Sequence, residues 1–297
     1  MLLRRTLVFA FRCFCLAALV ALFFGASAQK PPAVTAGRIL LLPRTIVSGD
    51  RATLAVLDTN GKLTPRVAVK FSNGDRLTTD ATGRALFVAP LTPGVIFGSI
   101  VGRQGTVRVT ILPPAEAAAN SIQVDSIPKI ASLSDRFEIE GRGFCGDADA
   151  NQITISGGPA FVLASSPASL VVLPPADLQP GRASVDISCA KRNGPPLEVE
   201  FLALTLEADS SPLAPGVLRR LTVHVRGTRS KVTLEAKNLA PDIAELLGGN
   251  PLKTMSSGGV ENMAHFEVVG RKLGNFLISI RLLNPSARPG QGGASGL

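Results

Sequence analysis

The sequence predicts an all-β protein, with three β-sandwiches in tandem behind a signal peptide. Three observations carry that prediction. Short segments of alternating apolar and polar residues recur between Gly, Pro, Asn and Asp, and a period of two buries one face of a strand. Against them stands one helix-like stretch, residues 240–247, with Pro241 at a first-turn position. Two joints, residues 113–119 and Phe201-Leu202-Ala203, cut the chain into pieces of roughly 80 to 95 residues, the size of a seven-stranded sandwich.

Arg4 and Arg5 form a positive n-region, residues 16–24 an uninterrupted apolar run, and Ala26-Ser27-Ala28 a small-x-small cleavage site. Residues 1–28 therefore read as a signal peptide cleaved after Ala28. The apolar run is shorter than the ~20 residues of a membrane span, and Arg12 interrupts its extension. Cys13 and Cys15 precede the apolar core and are not placed for lipidation. The mature chain is expected in a periplasm or outside the cell, without stable membrane insertion. The lack of an N-x-Ser/Thr acceptor favours a bacterial source.

The first sandwich is expected over residues 29–115, with strands at 53–57, 67–71 and 106–112 and a tight hairpin at Asn60-Gly61, where both residues accept positive φ. The second, 116–203, carries strands at 137–140, 152–156 and 183–189. The third, 204–286, carries them at 221–226, 231–236, 264–269 and 276–282. Residues 287–297 are rich in Gly, Ser and Pro and read as a flexible tail. The formal charge alternates, at +7 for 29–115, −5 for 116–203 and +4 for 204–297.

Ile127-Pro128 opens the central module, and FEIEGRGF (137–144), NQITISGG (151–158), SLVVLPP (169–175) and PGRASV (180–185) follow. In that order they resemble the IPT/TIG immunoglobulin-like fold: a G-x-G-F strand end, an n-x-V-x-I-G-G strand, a strand reaching a Pro, then P-G before the last strands. The chain departs from the pattern at Leu133-Ser134-Asp135-Arg136, where a glycine-containing run is usual. The first module resembles bacterial immunoglobulin-like domains of the invasin/intimin kind in Ser48-Gly49-Asp50, Asp58-Thr59-Asn60-Gly61 and Thr79-Asp80-Ala81-Thr82-Gly83-Arg84. The third is immunoglobulin-like by its alternation alone. These resemblances imply three tandem immunoglobulin-like β-sandwich domains.

Catalysis lacks a constellation. There is no Trp or Tyr and only two His, the residue most used for general acid–base work. Gly141, Gly143 and Gly146 spell G-x-G-x-x-G, but a strand follows rather than the helix a dinucleotide needs. Ser126 and Lys129 have S-x-x-K spacing without an accompanying K-T-G, and Pro128 argues against a helix there. No catalytic residue and no cofactor is expected.

Three smaller sites remain. Cys145 and Cys189 are the only mature cysteines, an even count in an oxidising compartment, and are expected to form a disulfide; two separate thiols are the alternative. Asp147, Asp149 and Asn151 have the 1-3-5 spacing of a calcium loop, but Gln152 stands where that loop has Gly and Gly158 where it has Glu. The ordinary polar loop is favoured over weak calcium binding. His224 and His265 alternate with apolar neighbours, so both rings point away from the core. Two solvated strand histidines are the favoured reading. On paired strands they could instead be cross-strand neighbours with Glu267, a set able to hold Zn²⁺ if all three converge, although Arg226 shares that face.

Nucleic-acid binding is not expected, because the basic excess is split by an acidic module and stacking Tyr and Trp are missing. The sequence expectation is a secreted or envelope-associated, non-catalytic array that binds or spaces a protein or a cell-envelope polymer. A solvated surface is the default reading of the basic excess, and contact between the first module and anionic envelope components is the functional one. The rival is a carbohydrate-binding accessory protein of a polysaccharide-processing system, which the missing Trp and Tyr weaken.

Overall fold

The computed structural model describes residues 37–114, 121–207, 211–230, 232–247 and 262–283, with the backbone alone at Leu252–Met255. The expected signal peptide, the tail and most of the 113–119 joint lie outside these residues. The first sandwich contains β1 (Arg38–Leu41), β2 (Thr45–Val47), β3 (Arg51–Asp58), β4 (Ala68–Phe71), β5 (Arg76–Thr78), β6 (Arg84–Val88), β7 (Gly94–Ile100) and β8 (Val107–Leu112). One layer is the antiparallel trio β1-β3-β6. The other has the order β2-β8-β7-β4-β5, with β2 parallel to β8. Alternation works here as expected: Val69, Phe71, Ile96 and Val109 enter one core with Leu54, Val56 and Phe87, while Lys70, Phe97 and Arg108 are exposed.

The second sandwich contains β9 (Gln123–Ser126), β10 (Ile130–Ser132), β11 (Phe137–Arg142), β12 (Asn151–Ile155), β13 (Gly158–Pro159), β14 (Phe161–Ser166), β15 (Ser169–Leu173), β16 (Gly181–Cys189), β17 (Arg192–Asn193) and β18 (Leu197–Glu207). Its layers are β14-β15-β11-β9 and β13-β12-β16-β18, with β10 parallel to β18. Phe137 and Phe201 meet edge to face across its core, 5.7 Å between ring centroids. The third sandwich contains β19 (Leu218–Arg226), β20 (Val232–Asn238), β21 (Ala244–Leu246), β22 (Leu252–Met255), β23 (Asn262–Gly270) and β24 (Ile278–Leu283). It stacks β18-β19-β23-β21 on β22-β20-β24 over Leu221, Val223, Leu234 and Phe266. Apart from one short 3₁₀ turn the described residues are all-β, built of β-sandwiches in tandem.

Three local expectations change. Residues 240–247 form a turn and then β21 rather than a helix: Ala244 and Leu246 are buried at period two and pair with β23. Asn238 fixes the turn, accepting from the Ala240 amide at 2.9 Å and donating to the Ala244 carbonyl. At Asn60-Gly61 only Gly61 has positive φ (77°), and Asp58 Oδ1 accepts from the amides of Asn60 and Lys62, so a wider Asx-type turn replaces the two-residue hairpin. Finally, Phe201-Leu202-Ala203 is not a linker. It lies within β18, whose first half pairs with β16 and whose second half pairs with β19. Because successive side chains point to opposite faces, Phe201 enters the second core and Leu202 the third.

The first junction is also made of strands. Thr53 of β3 bridges Ser165 of β14, and Leu41, Ala55 and Leu57 are buried with Leu163, Ala164 and Val171 in a cluster of their own. Four strands are therefore buried on both faces. In β1, Leu40 serves the first core and Leu41 the junction. In β3, Leu54 and Val56 serve the first core while Ala55 and Leu57 serve the junction. In β14 and β15, Val162, Leu170 and Val172 serve the second core while Leu163 and Val171 serve the junction.

Gly146 closes this contact. A Cβ there would stand 1.9 Å from the Arg51 carbonyl oxygen, so only a residue without one fits unless the backbone shifts. Gly146→Ala is expected to lower unfolding stability by about 1–3 kcal/mol, the range for overpacking. Urea titration of both proteins measures it, and equal midpoints would contradict so close an approach.

Candidate functional site

The loop from Gly143 to Asn151 gathers the residues that the sequence singled out. The Cys145–Cys189 disulfide ties it to the end of β16, with a Cα separation of 5.8 Å. Asn151 locks it from within: its Oδ1 accepts from the Cys145 amide, and its Nδ2 donates to the carbonyls of Cys145 and Asp147, all at 2.9 Å. Asp147 Oδ1 accepts from the Asp149 amide and caps the 3₁₀ turn Ala148–Ala150. Asp149 ion-pairs with Arg84 of β6 at 2.8 Å. The calcium reading of Asp147, Asp149 and Asn151 is thereby corrected. The amide oxygen of Asn151 is taken by backbone and the Asp149 carboxylate by a guanidinium, so the three do not converge on a cation.

The pinned loop holds the first junction. The Gly146 carbonyl accepts from the hydroxyls of Thr53 (3.0 Å) and Ser165 (2.7 Å), and Thr53 Oγ1 accepts from the Ala148 amide. Arg84, only 8% exposed, also donates to the Val162 carbonyl and lies 5.4 Å from the centroid of Phe161. At the far side of the contact Arg44 pairs with Glu138 of β11 at 2.8 Å. Glu138 shares its face with Val171 and the apolar junction. Burial pushes its carboxyl up to about 7 from 4.5, with Glu140 adding to the shift and Arg44 opposing it. Its Oε1 is buried without a hydrogen-bond partner.

The histidines lie on paired strands, as expected, with their rings on the outer face of β19 and β23. The register offsets them by one step: Thr222 is opposite His265, and His224 is opposite Met263. His265 Nδ1 is 3.2 Å from Thr222 Oγ1, His224 Nε2 is 2.9 Å from Glu207 Oε2, and Glu267 pairs with Arg220 at 4.0 Å. The zinc alternative weighed for His224, His265 and Glu267 is therefore not formed in this geometry. Each side chain turns to a neighbouring strand, and among the described residues no group of three His, Cys, Asp or Glu could hold a metal.

A fourth site was not singled out from the sequence. The five strands of the larger first-module layer carry Lys70, Arg76 and Arg108 and no acidic residue. Lys70 and Arg76 stand directly opposite each other, and Arg108 stands opposite Phe97, itself 44% exposed. None of the three cations has an ion-pair partner among the described residues. Like charges facing across a ladder cost stability, so this face is not arranged for the fold. The turn at Ser72-Asn73-Gly74 is centred on Asn73, three residues from each of Lys70 and Arg76, and this sets the two opposite each other. A cavity of about 190 Å³ opens beside Arg76 between β5 and β6, walled by Phe71, Leu77, Phe87 and Ile96 of the same module.

No family model matches the chain. No curated protein matches it either. Among solved structures, SGBP-B of the Bacteroides ovatus mixed-linkage glucan utilization locus, in complex with a mixed-linkage heptasaccharide, is 12% identical, matching 83% of this chain and 61% of its own at a TM-score of 0.22. Domains 1–6 of the surface layer protein SbsC are 12% identical over 84% of this chain and 38% of theirs, at 0.20. Immunoglobulin domains 1–4 of Sidekick-1 are 10% identical over 84% and 76%, at 0.24. The chain spans less than two thirds of the first two. Likenesses this distant carry nothing about ligand or role.

Two outcomes follow from the junction. Replacing Cys145 and Cys189 together by Ala is expected to cost about 2–5 kcal/mol in urea unfolding. It should also speed amide exchange at Ala148, whose amide reaches across to Thr53. Unchanged exchange would show that the disulfide does not position the junction. For Glu138, a carboxyl that protonates near 7 when folded and near 4.5 when unfolded binds more protons in the folded state between those values. The Glu138 contribution to stability is therefore fully present below about pH 4.5 and is lost as pH rises through 7. The difference between wild type and Glu138→Gln should trace that fall in titrations at pH 5 and pH 8, and a pH-independent difference would refute the assignment.

Proposed function

We propose that this chain is a non-catalytic, extracytoplasmic array that binds an envelope partner through its first sandwich and holds that partner at a fixed distance. The observation that carries the reading is the outer face of β2-β8-β7-β4-β5, where Lys70, Arg76 and Arg108 surround an exposed Phe97 without counter-charge. A disulfide agrees with an oxidising compartment. No helix among the described residues is long and apolar enough to cross a membrane. Strand-built junctions at both ends of the second sandwich favour a fixed spacing over a flexible string of beads. In this reading the second sandwich is an IPT/TIG-type domain and residues 1–28 direct export.

Fractionation of the source cells should place the protein in the periplasm, on the surface or in the medium. The purified mature chain should co-sediment with envelope fragments at about 0.1 M salt, where the Debye length is about 10 Å. Cytosolic retention, or no co-sedimentation at any salt, would rule the proposal out.

A further inference from the structure

The basic face has a shape as well as a charge. Arg76 on β5 and Lys70 on β4 form one cross-strand pair, Ser99 follows opposite Lys70 on β7, and Phe97, two residues before Ser99, faces Arg108 on β8. Thr110 and Thr45 continue the row onto β2. From β5 to β8 is three inter-strand steps, roughly 15 Å. A half-exposed ring thus lies between two cationic positions, with hydroxyls alongside. We infer that this face binds an acidic polysaccharide, its carboxylates on the Arg76–Lys70 pair and on Arg108 and a sugar ring against Phe97. The inference rests on the proposed role of this face as the binding surface and names its ligand class.

Each feature finds a use in that ligand. Charge-assisted hydrogen bonds from Lys and Arg supply the affinity that a neutral glycan draws from stacking on Trp or Tyr, which answers the absence of both residues from the chain. Thr110 and Thr45, both half-buried, match sugar hydroxyls. The module charges orient the polymer as well: +7 on the first sandwich attracts it and −5 on the second repels it, so contact is confined to one end. Other anionic partners use the face less well. Duplex DNA is read by an element that enters a groove, and single strands by a series of rings, whereas this is a flat layer with one ring. A bilayer is held by a broad apolar surface beside the charges, and here Phe97 and Val95 are flanked by Arg108 and Thr110.

The test uses the mature chain in native gels containing alginate or polygalacturonate, with dextran as the neutral control. Flotation with phosphatidylglycerol vesicles and a duplex DNA shift run in parallel. Retardation by the polyuronates and not by dextran is expected, and it should disappear between about 50 mM and about 0.5 M salt. Lys70→Glu combined with Arg76→Glu should weaken it about tenfold, roughly 1.4 kcal/mol. Phe97→Ala should weaken it without changing its salt dependence, and Arg182→Glu on the second sandwich should leave it unchanged. Thermal melts verify that each variant is folded.

No retardation by either polyuronate, equal retardation by dextran, an unaffected double charge reversal, or tighter binding to vesicles or DNA would overturn the inference. Envelope co-sedimentation of the double variant separates the two claims. If the wild-type chain binds envelopes but not polyuronates, the ligand class is wrong and the envelope-binding role stands. If it binds neither, both fail.

Discussion

The Cys145–Cys189 disulfide is the constraint on which the arrangement of the first two sandwiches depends. It ties the loop after β11, in one layer, to the end of β16, in the other, and so fixes the backbone between Gly143 and Asn151. That backbone supplies the Gly146 carbonyl to Thr53 and the Asp149 carboxylate to Arg84. The contact uses polar groups held on a short loop, and such groups stabilise only when their geometry is fixed before they meet. A free loop would have to lose its conformational entropy at the moment of docking. The bridge and Asn151 have already removed most of that freedom.

Around this contact lies a layer with two interiors. β14 and β15 give alternate residues to the second core and to the junction cluster, so these two strands are covered on this side, while β9 at the edge of the layer stays exposed. The arrangement has an electrostatic consequence at Glu138. On an ordinary sandwich this position of β11 would face water, but here it faces the junction, with Arg44 as its ion-pair partner and one oxygen unpartnered. Joining the modules through strands therefore sets a carboxyl between two hydrophobic clusters, and the acid's raised pKa reports that burial.

Sequence pattern revealed the single-sided strands and concealed the shared ones. Residues 67–71 alternate and do line one core, and residues 264–269 do the same. Residues 53–57 and 169–173 are nearly continuous apolar runs, a pattern that signals two-sided burial when strands are sandwiched between layers. The burial of β3 and β15 was thus legible in the chain, while the identity of what covers their second faces was not. Cys145 and Cys189 could be paired by counting. Arg84 with Asp149 and Arg44 with Glu138 could not, because each pair joins different modules and no local spacing marks them. Residues 240–247 misled for a related reason: Ala and Leu favour a helix, and pairing with β23 overrode that preference.

The exposed basic face follows from the same construction. A sandwich docked through one layer leaves the outer side of the other for solvent or a ligand. In the first module the trio β1-β3-β6 supplies Leu41, Ala55, Leu57 and Arg84 to the junction. Its acids and bases near the contact are neutralised there, as Arg84 and Arg44 show. The remaining cations of the five-stranded layer have no such partner, and none of its strands offers one. Their repulsion is tolerated because the module's stability rests on its core and on the junction rather than on that surface. A face freed from folding duty in this way can keep a charge pattern set by its ligand alone.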